Sequence, residues 1–159
     1  KTIICLEADH YPYALGLKAL SELAGKNLTE TKQSTLLNEH VGIFTIFDPT
    51  MDHLEEISDP MCSYDITPTL LNLWGFDYDS RLLMGRDIFS DADHVAVFYD
   101  FSFVTDDFYY LAPLKKAYAF DGGEVDQVRV NELVAKIAKQ YEISKSVLKN
   151  DYYRYLYKK

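Results

Sequence analysis

Thr2-Ile3-Ile4-Cys5-Leu6-Glu7-Ala8-Asp9-His10 is a β-branched apolar run that breaks abruptly into a carboxylate and an imidazole. An apolar run without alternation is the pattern of a strand buried on both faces, as in a parallel sheet. In open α/β sheets ligands bind beyond the carboxyl ends of the strands, which is where Asp9 and His10 fall. A carboxylate and a neutral imidazole suit Mn²⁺ or Zn²⁺, and the carboxylate alone also suits Mg²⁺. Neighbouring side chains on an ideal strand point to opposite faces, but a turn at the strand end lets them converge on one ion. The alternative is that Asp9 caps the next segment and His10 packs beside Tyr11. A chain that opens inside such a strand is expected to be a piece of something longer.

Working outward, Pro12 removes a donor and biases Tyr11 away from helix. Residues 17–24 have helical composition and stop at Gly25, a C′ residue. Asn27 and Glu30 have the spacing of a capping box, which predicts a short helix to about Asn38. Residues 41–47 form a second apolar run, closed by Asp48-Pro49. Helical sequence between two such runs predicts parallel neighbours joined by a crossover. Residues 50–60 are polar and read as loop. Ser63 or Asp65 can cap a helix with Pro68 in its first turn, an apolar face of Leu70, Leu71 and Trp74, and a stop at Gly75. After a polar connector, residues 95–99, 102–104 and 108–111 read as short strands, with Asp106-Asp107 in a turn and residues 118–120 as a further edge. Residues 125–149 form a long helix with Val130, Leu133, Val134, Ile137, Ala138 and Tyr141 on one face. The expected fold is therefore α/β: core parallel strands with helices over residues 1–90, then a small antiparallel sheet packed by a long C-terminal helix over residues 91–159.

Sixteen Lys and Arg against 25 Asp and Glu give the 159-residue chain a net charge of −9. That balance argues against nucleic acid as the main partner, since counterion release needs clustered cations. It leaves a phosphorylated substrate open, because a metal ion reverses the local field. Hydrophobic residues at 48% and charged residues at 26% match a globular chain rather than a disordered one. No apolar run is long enough to span a bilayer.

Cys5, in an apolar run, reads as a buried thiol, and Cys62 lies in a turn-like context; whether they pair is left open. His40, His53 and His94 read as solvated flanks. Asp77 with Asp79 and Asp106 with Asp107 fit turns better than a carboxylate dyad. There is no Walker loop, dinucleotide fingerprint, G-x-S-x-G elbow or CxxC.

Three blocks carry a family likeness: Glu7-Ala8-Asp9-His10-Tyr11-Pro12-Tyr13, then Tyr64-Asp65-Ile66-Thr67-Pro68-Thr69-Leu70-Leu71-Asn72-Leu73-Trp74-Gly75, then Asp79-Ser80-Arg81-Leu82-Leu83-Met84-Gly85-Arg86-Asp87-Ile88-Phe89-Ser90. Together with the ending Asp151-Tyr152-Tyr153-Arg154-Tyr155-Leu156, they resemble the C-terminal part of a bacterial sulfatase-like enzyme of the alkaline phosphatase superfamily. The likeness is most specific to the lipoteichoic acid synthase group of phosphoglycerol transferases.

The resemblance implies an alkaline phosphatase-like sandwich and a metal site in which Asp9 and His10 are two ligands. It implies a divalent ion (Mn, Mg or Zn) and a phosphate- or sulfate-ester substrate in the intact enzyme, with the upstream half of the same catalytic domain as partner. The parent would work at the extracellular face of a bacterial membrane, which it would contact only through a segment outside this chain. The family usually has Gly where Ala8 stands. Its Thr nucleophile, Glu ligand and substrate-binding His and Arg residues come from the earlier part of the domain, so none is assigned here, and neither Arg81 nor Arg86 receives a catalytic role. The Cys-x-Pro-x-Arg signature of true sulfatases is absent, and Cys62 does not fit it. The fragment alone is expected to be inert and to bind metal weakly. A second expectation stays beside this one: a non-catalytic folding or interaction module from the same superfamily, with the aromatic tail of Tyr152, Tyr153, Tyr155 and Tyr157 as its interface.

Overall fold

The computed structural model describes residues 2–8, 10, 14–28 and 41–157. Contacts divide the chain into two compact units, Lys1–Ile57 and Ser58–Lys159. The boundary expected at 90/91 falls inside the second unit, because the connector before residue 90 and the strands after it share one core through Met84, Val95 and Val97.

In the first unit, β1 (Ile4–Glu7) pairs with β2 (Phe44–Phe47), and α1 (Leu17–Ala24) lies between them in sequence. The helix stops at Gly25, whose φ of 62° is the left-handed conformation a C′ glycine takes without steric cost. The short helix expected to follow Asn27 lies outside the described residues. The expected parallel pairing of the first two strands is overturned: β1 and β2 run antiparallel, with Ile4 opposite Phe47 and Glu7 opposite Phe44. Apolar composition marks a strand but carries no direction, which is set by the end at which the chain returns.

Nor is this sheet buried on both faces. Ile3, Cys5, Phe44 and Ile46 share a half-buried face, so Cys5 is not the fully buried thiol expected. Ile4, Leu6 and Phe47 on the other face are exposed, Leu6 by 61%. Both cysteines are free thiols.

The second unit opens with α2 (Ser63–Leu73) and a single 3₁₀ turn, Ser80–Leu82. A four-stranded antiparallel meander follows, β3 (Ala96–Val97), β4 (Phe103–Val104), β5 (Phe108–Leu111) and β6 (Lys116–Ala119), in that order across the sheet. The edge expected around residue 118 is β6. Then come α3 (Gln127–Lys149) and α4 (Tyr152–Tyr157).

Asp126 caps α3 by accepting from the Val128 N–H at 2.8 Å. The helix lays Val130, Leu133 and Ile137 against Val95, Phe103, Phe108 and Tyr110, the core of the unit. Phe103 stacks on Tyr110 with centroids 5.1 Å apart and meets Phe108 edge-on at 6.0 Å. On the opposite face of the sheet Tyr109 stacks on Tyr118 at 5.2 Å. The tight β4–β5 turn has no stranded hydroxyl, since the buried Thr105 Oγ1 donates to Asp107 Oδ1 at 2.9 Å and accepts from the Phe108 N–H at 3.1 Å. The expected Asp106-Asp107 turn is this one. The fold is thus mixed α/β with small antiparallel sheets and a C-terminal helix.

Candidate functional site

The strand-end pair is only half described. His10 lies exposed just beyond the carboxyl end of β1, while Asp9 lies outside the described residues. Antiparallel pairing brings the amino end of β2 to this same end of the sheet, where a Cβ on Gly42 would stand in ordinary contact with the Ala8 Cβ, 3.8 Å away. Ala8 does not adopt a positive φ, so its backbone carries no left-handed strain. In donor chemistry an imidazole and a carboxylate fit a divalent ion, but they supply two donors where such ions take about four to six. Among the described residues, no group of three or more His, Cys, Asp or Glu side chains is placed to hold a metal ion.

The stretches 64–75 and 79–90, separated by three residues, fold back on one another and meet in one buried network. Asp65, 1% exposed, sits at the third position of α2. Its Oδ2 accepts from the Cys62 N–H at 2.9 Å, closing the start of the helix, and its Oδ1 accepts from the Arg86 N–H at 2.9 Å. The cap residue is Cys62, not Ser63 or Asp65 as the sequence suggested: Asp65 works from inside the first turn. Thr69 Oγ1 donates to the Asp65 carbonyl at 2.6 Å and accepts from the Ile88 N–H at 3.1 Å, a second tie between the blocks. Asn72 donates to Asp87 Oδ2 at 2.6 Å, a third.

Pro68 is not in the first turn but inside the helix. Having no N–H, it leaves the Tyr64 carbonyl without its usual partner one turn on. Gly85 packs against that carbonyl so closely that any Cβ there would collide with the Tyr64 backbone. A tight approach of this kind admits only glycine.

The guanidinium of Arg86 reaches from this knot to two other segments, with Nη2 donating to the Pro60 carbonyl at 3.1 Å and Nη1 to the Val95 carbonyl at 3.3 Å. Its Nε is buried, with no hydrogen-bond partner among the described residues. A cleft of about 410 Å³ opens beside the knot, floored by Met84, Leu133 and Ile137 and rimmed by Asn72, Asp93 and Lys136. Arg86 is thereby a buried tie between segments.

Cys62 lines the same cleft, and burial, reinforced by the negative charge of Asp65, pushes its thiol up to about 11. It is a protonated thiol at neutral pH, the opposite of an activated nucleophile. No protein-family model matches the chain. No helix among the described residues is long and apolar enough to cross a membrane.

The remaining candidates divide. His53 is exposed, with Nδ1 2.8 Å from Asp52, and His40 lies outside the described residues. Asp79 closes the 3₁₀ turn by accepting from the Arg81 N–H at 3.1 Å, and its carboxylate and the Arg81 guanidinium form a two-pronged pair at 2.7 and 2.8 Å. Asp107 is paired with Arg129 of α3 at 2.8 Å. Sequence reasoning treated His94 as a surface flank, but its side chain is only 17% exposed and its Nδ1 lies 3.3 Å from Asp59 Oδ2. No local pattern pointed to that contact, since residues 59 and 94 are brought together only by the fold.

Proposed function

We propose that the chain is the C-terminal part of a metal-dependent, sulfatase-like enzyme of the alkaline phosphatase superfamily, related to the lipoteichoic acid synthase group. The intact enzyme transfers or hydrolyses a phosphoryl (phosphoglycerol) or sulfuryl group. The observation that carries this reading is the interlock of the two most specific sequence blocks. The Asp65 carboxylate and the Arg86 N–H, 2.9 Å apart, join the two consecutive stretches that carry the family likeness. A packing role for these stretches is what the likeness implies, and this contact supports it.

In this reading Asp9 and His10 supply two ligands to a divalent ion. The remaining ligands and the hydroxyl nucleophile come from the upstream half of the same catalytic domain. The exposed position of His10 at a strand end suits a ligand that faces a partner surface. The ion would lower the pKa of the nucleophile and neutralise charge developing on the phosphoryl or sulfuryl oxygens. The parent acts at the extracellular face of a bacterial membrane, anchored by a segment outside this chain, and the chain by itself is inert.

The test is metal content and turnover of the full-length protein with Asp9→Ala and His10→Ala, folding being checked by circular dichroism. Each variant should lose most activity and metal while keeping its fold. Wild-type activity and occupancy in both would overturn the reading. So would phosphodiester or sulfate-ester turnover by the 159-residue chain that co-purifies with it when Mn²⁺, Mg²⁺ or Zn²⁺ is added.

A second reading, a non-catalytic interaction module, draws on the exposed Tyr155 and Tyr157 of α4. A Thr or Ser nucleophile and a Glu ligand in the upstream reading frame favour the enzyme, and their absence favours the module.

A further inference from the structure

Residues 145–159 carry a charge opposite to that of the chain as a whole. Lys145, Lys149, Arg154, Lys158 and Lys159 stand against the single carboxylate of Asp151, in a chain whose net charge is −9. The same stretch concentrates aromatic side chains, with Tyr152, Tyr153, Tyr155 and Tyr157.

The backbone sets this stretch apart. α3 ends at Lys149, and Asp151 takes a left-handed φ of 49°, where a right-handed helix cannot continue and which Asp tolerates better than most residues. α4 therefore starts afresh. Its first residue, Tyr152, is half-buried and close enough to Arg81 for their charges to interact. The side chains that follow meet water: Tyr155 is 76% exposed and Tyr157 78%, and Tyr153, Arg154 and Leu156 are exposed too, as is Leu148 in the last turn of α3.

A tyrosine joins an apolar ring to a polar tip, which suits the boundary between lipid headgroup and acyl chain, dry at one end and wet at the other. Lys and Arg beside it match the negative potential of a surface rich in anionic lipid. A stable protein partner asks for about 800 Å² from each side. A helix of six residues, about 9 Å long, does not offer that area by itself. A lipid surface sets no such minimum, because it takes up each side chain separately.

We propose that α4 and the basic residues around it form a peripheral docking site for an anionic lipid surface. Tyr153, Tyr155 and Tyr157 sit at the headgroup boundary, and the cations of residues 149–159 supply the charge match. At six residues α4 is far short of the roughly 20 that span a bilayer, so the contact is interfacial. It adds a contact within the chain to the membrane anchor that the proposed function places outside it. None of these residues belongs to the proposed metal pair, so lipid docking and catalysis can fail independently.

The acidic charge elsewhere in the chain does not cancel the attraction. At physiological salt a field fades within about 8 Å, so only neighbouring carboxylates count. Those are paired: Asp151 with Arg154 at 2.9 Å, Glu142 with Lys145 at 3.2 Å and Asp79 with Arg81 at 2.7 Å, which leaves the stretch positive.

The experiment is co-sedimentation of the 159-residue chain with vesicles of phosphatidylcholine, alone or with about 30% phosphatidylserine, at low and at high salt. Phosphatidylserine offers no phosphoglycerol headgroup, so capture by the proposed catalytic site cannot imitate docking. At low salt, binding to the anionic vesicles should exceed binding to the neutral ones by about tenfold or more, and it should fall as salt rises. Tyr155→Ser with Tyr157→Ser, and separately Lys149→Gln with Arg154→Gln, should each weaken anionic-vesicle binding about fivefold or more while keeping the circular dichroism of the wild type. No binding, equal binding to both vesicles, or variants that bind like the wild type overturn the proposal. So does sedimentation without lipid that the tyrosine variant abolishes, which assigns the face to contact between copies of this chain. If the tyrosine variant does not fold, Lys149→Gln with Arg154→Gln decides by the same measure.

Discussion

Asp65 Oδ1 receives the backbone N–H of Arg86 at 2.9 Å while the guanidinium of the same residue stands 4.0 Å away. One carboxylate oxygen thus meets both the main chain and the side chain of a residue 21 positions on. The second oxygen closes the helix on which Asp65 itself sits. Removing this carboxylate strands two backbone donors and a largely buried cation. Asp65→Ala should therefore cost about 3–5 kcal/mol of the stability of the second unit, measured by chemical unfolding. Asp65→Asn, which keeps one acceptor, should cost less. A loss under about 1 kcal/mol for Asp65→Ala would mean that the network contributes nothing net.

Gly85→Ala tests the close approach to Tyr64. The added methyl has no room against rigid backbone, so the connector must move and the ties through Arg86 and Ile88 must loosen. The expected outcome is a loss of about 3 kcal/mol or more, with proteolytic nicking between residues 77 and 88. Gly42→Ala, where the new Cβ would meet only the Ala8 methyl at 3.8 Å, should be close to neutral by comparison.

Thiol chemistry offers a third check. With its thiol pushed up to about 11, Cys62 should react with iodoacetamide at neutral pH roughly a hundredfold more slowly in the folded chain than in the unfolded one. Peptide mass spectrometry over a time course gives the ratio. Asp65→Asn should speed the folded reaction, because it removes the second cause of the upward shift. Equal rates in folded and unfolded chains would contradict the buried placement.

Asp79 lies in the connector. Hydrogen bonds from the Arg81 side chain and backbone hold its carboxyl down to about 2. A depressed carboxyl stabilises the fold above its unfolded value of about 3.9, and the contribution fades as pH falls towards about 2. Because both side chains meet water, Arg81→Ala should scarcely change stability at neutral pH. It should still raise the Asp79 titration midpoint, read from its carboxyl carbon shift.

What the sequence made legible was local. Gly25 and Gly75 mark where α1 and α2 stop, because a left-handed C′ residue is a demand that only a short list of side chains meets. The three-and-four spacing of Val130, Leu133 and Ile137 marks the buried stripe of α3, because helical period alone decides which residues share a face. The direction of β2 against β1 was not legible, since the side-chain pattern of a strand is the same read either way. Nor was the depth of β1, whose apolar run suggested burial that Ile4 and Leu6 do not have. At the site, Asp9 and His10 stood out by position at a strand end, whereas the partnership of Asp65 with Arg86 and of Asp59 with His94 depends on tertiary contacts. No periodicity encodes such contacts, whether from a helix, as at Asp65, or from an irregular segment, as at Asp59.

The proline inside α2 has a consequence that reaches beyond this one chain. Restoring an N–H at position 68 would offer the Tyr64 carbonyl its helical partner and draw it back to the axis, and a side chain at position 85 would need that carbonyl to withdraw. Proline at 68 and glycine at 85 are therefore not two independent choices. In divergent relatives they should be retained or replaced as a pair, and an alanine tolerated at 85 should be found where 68 has ceased to be proline.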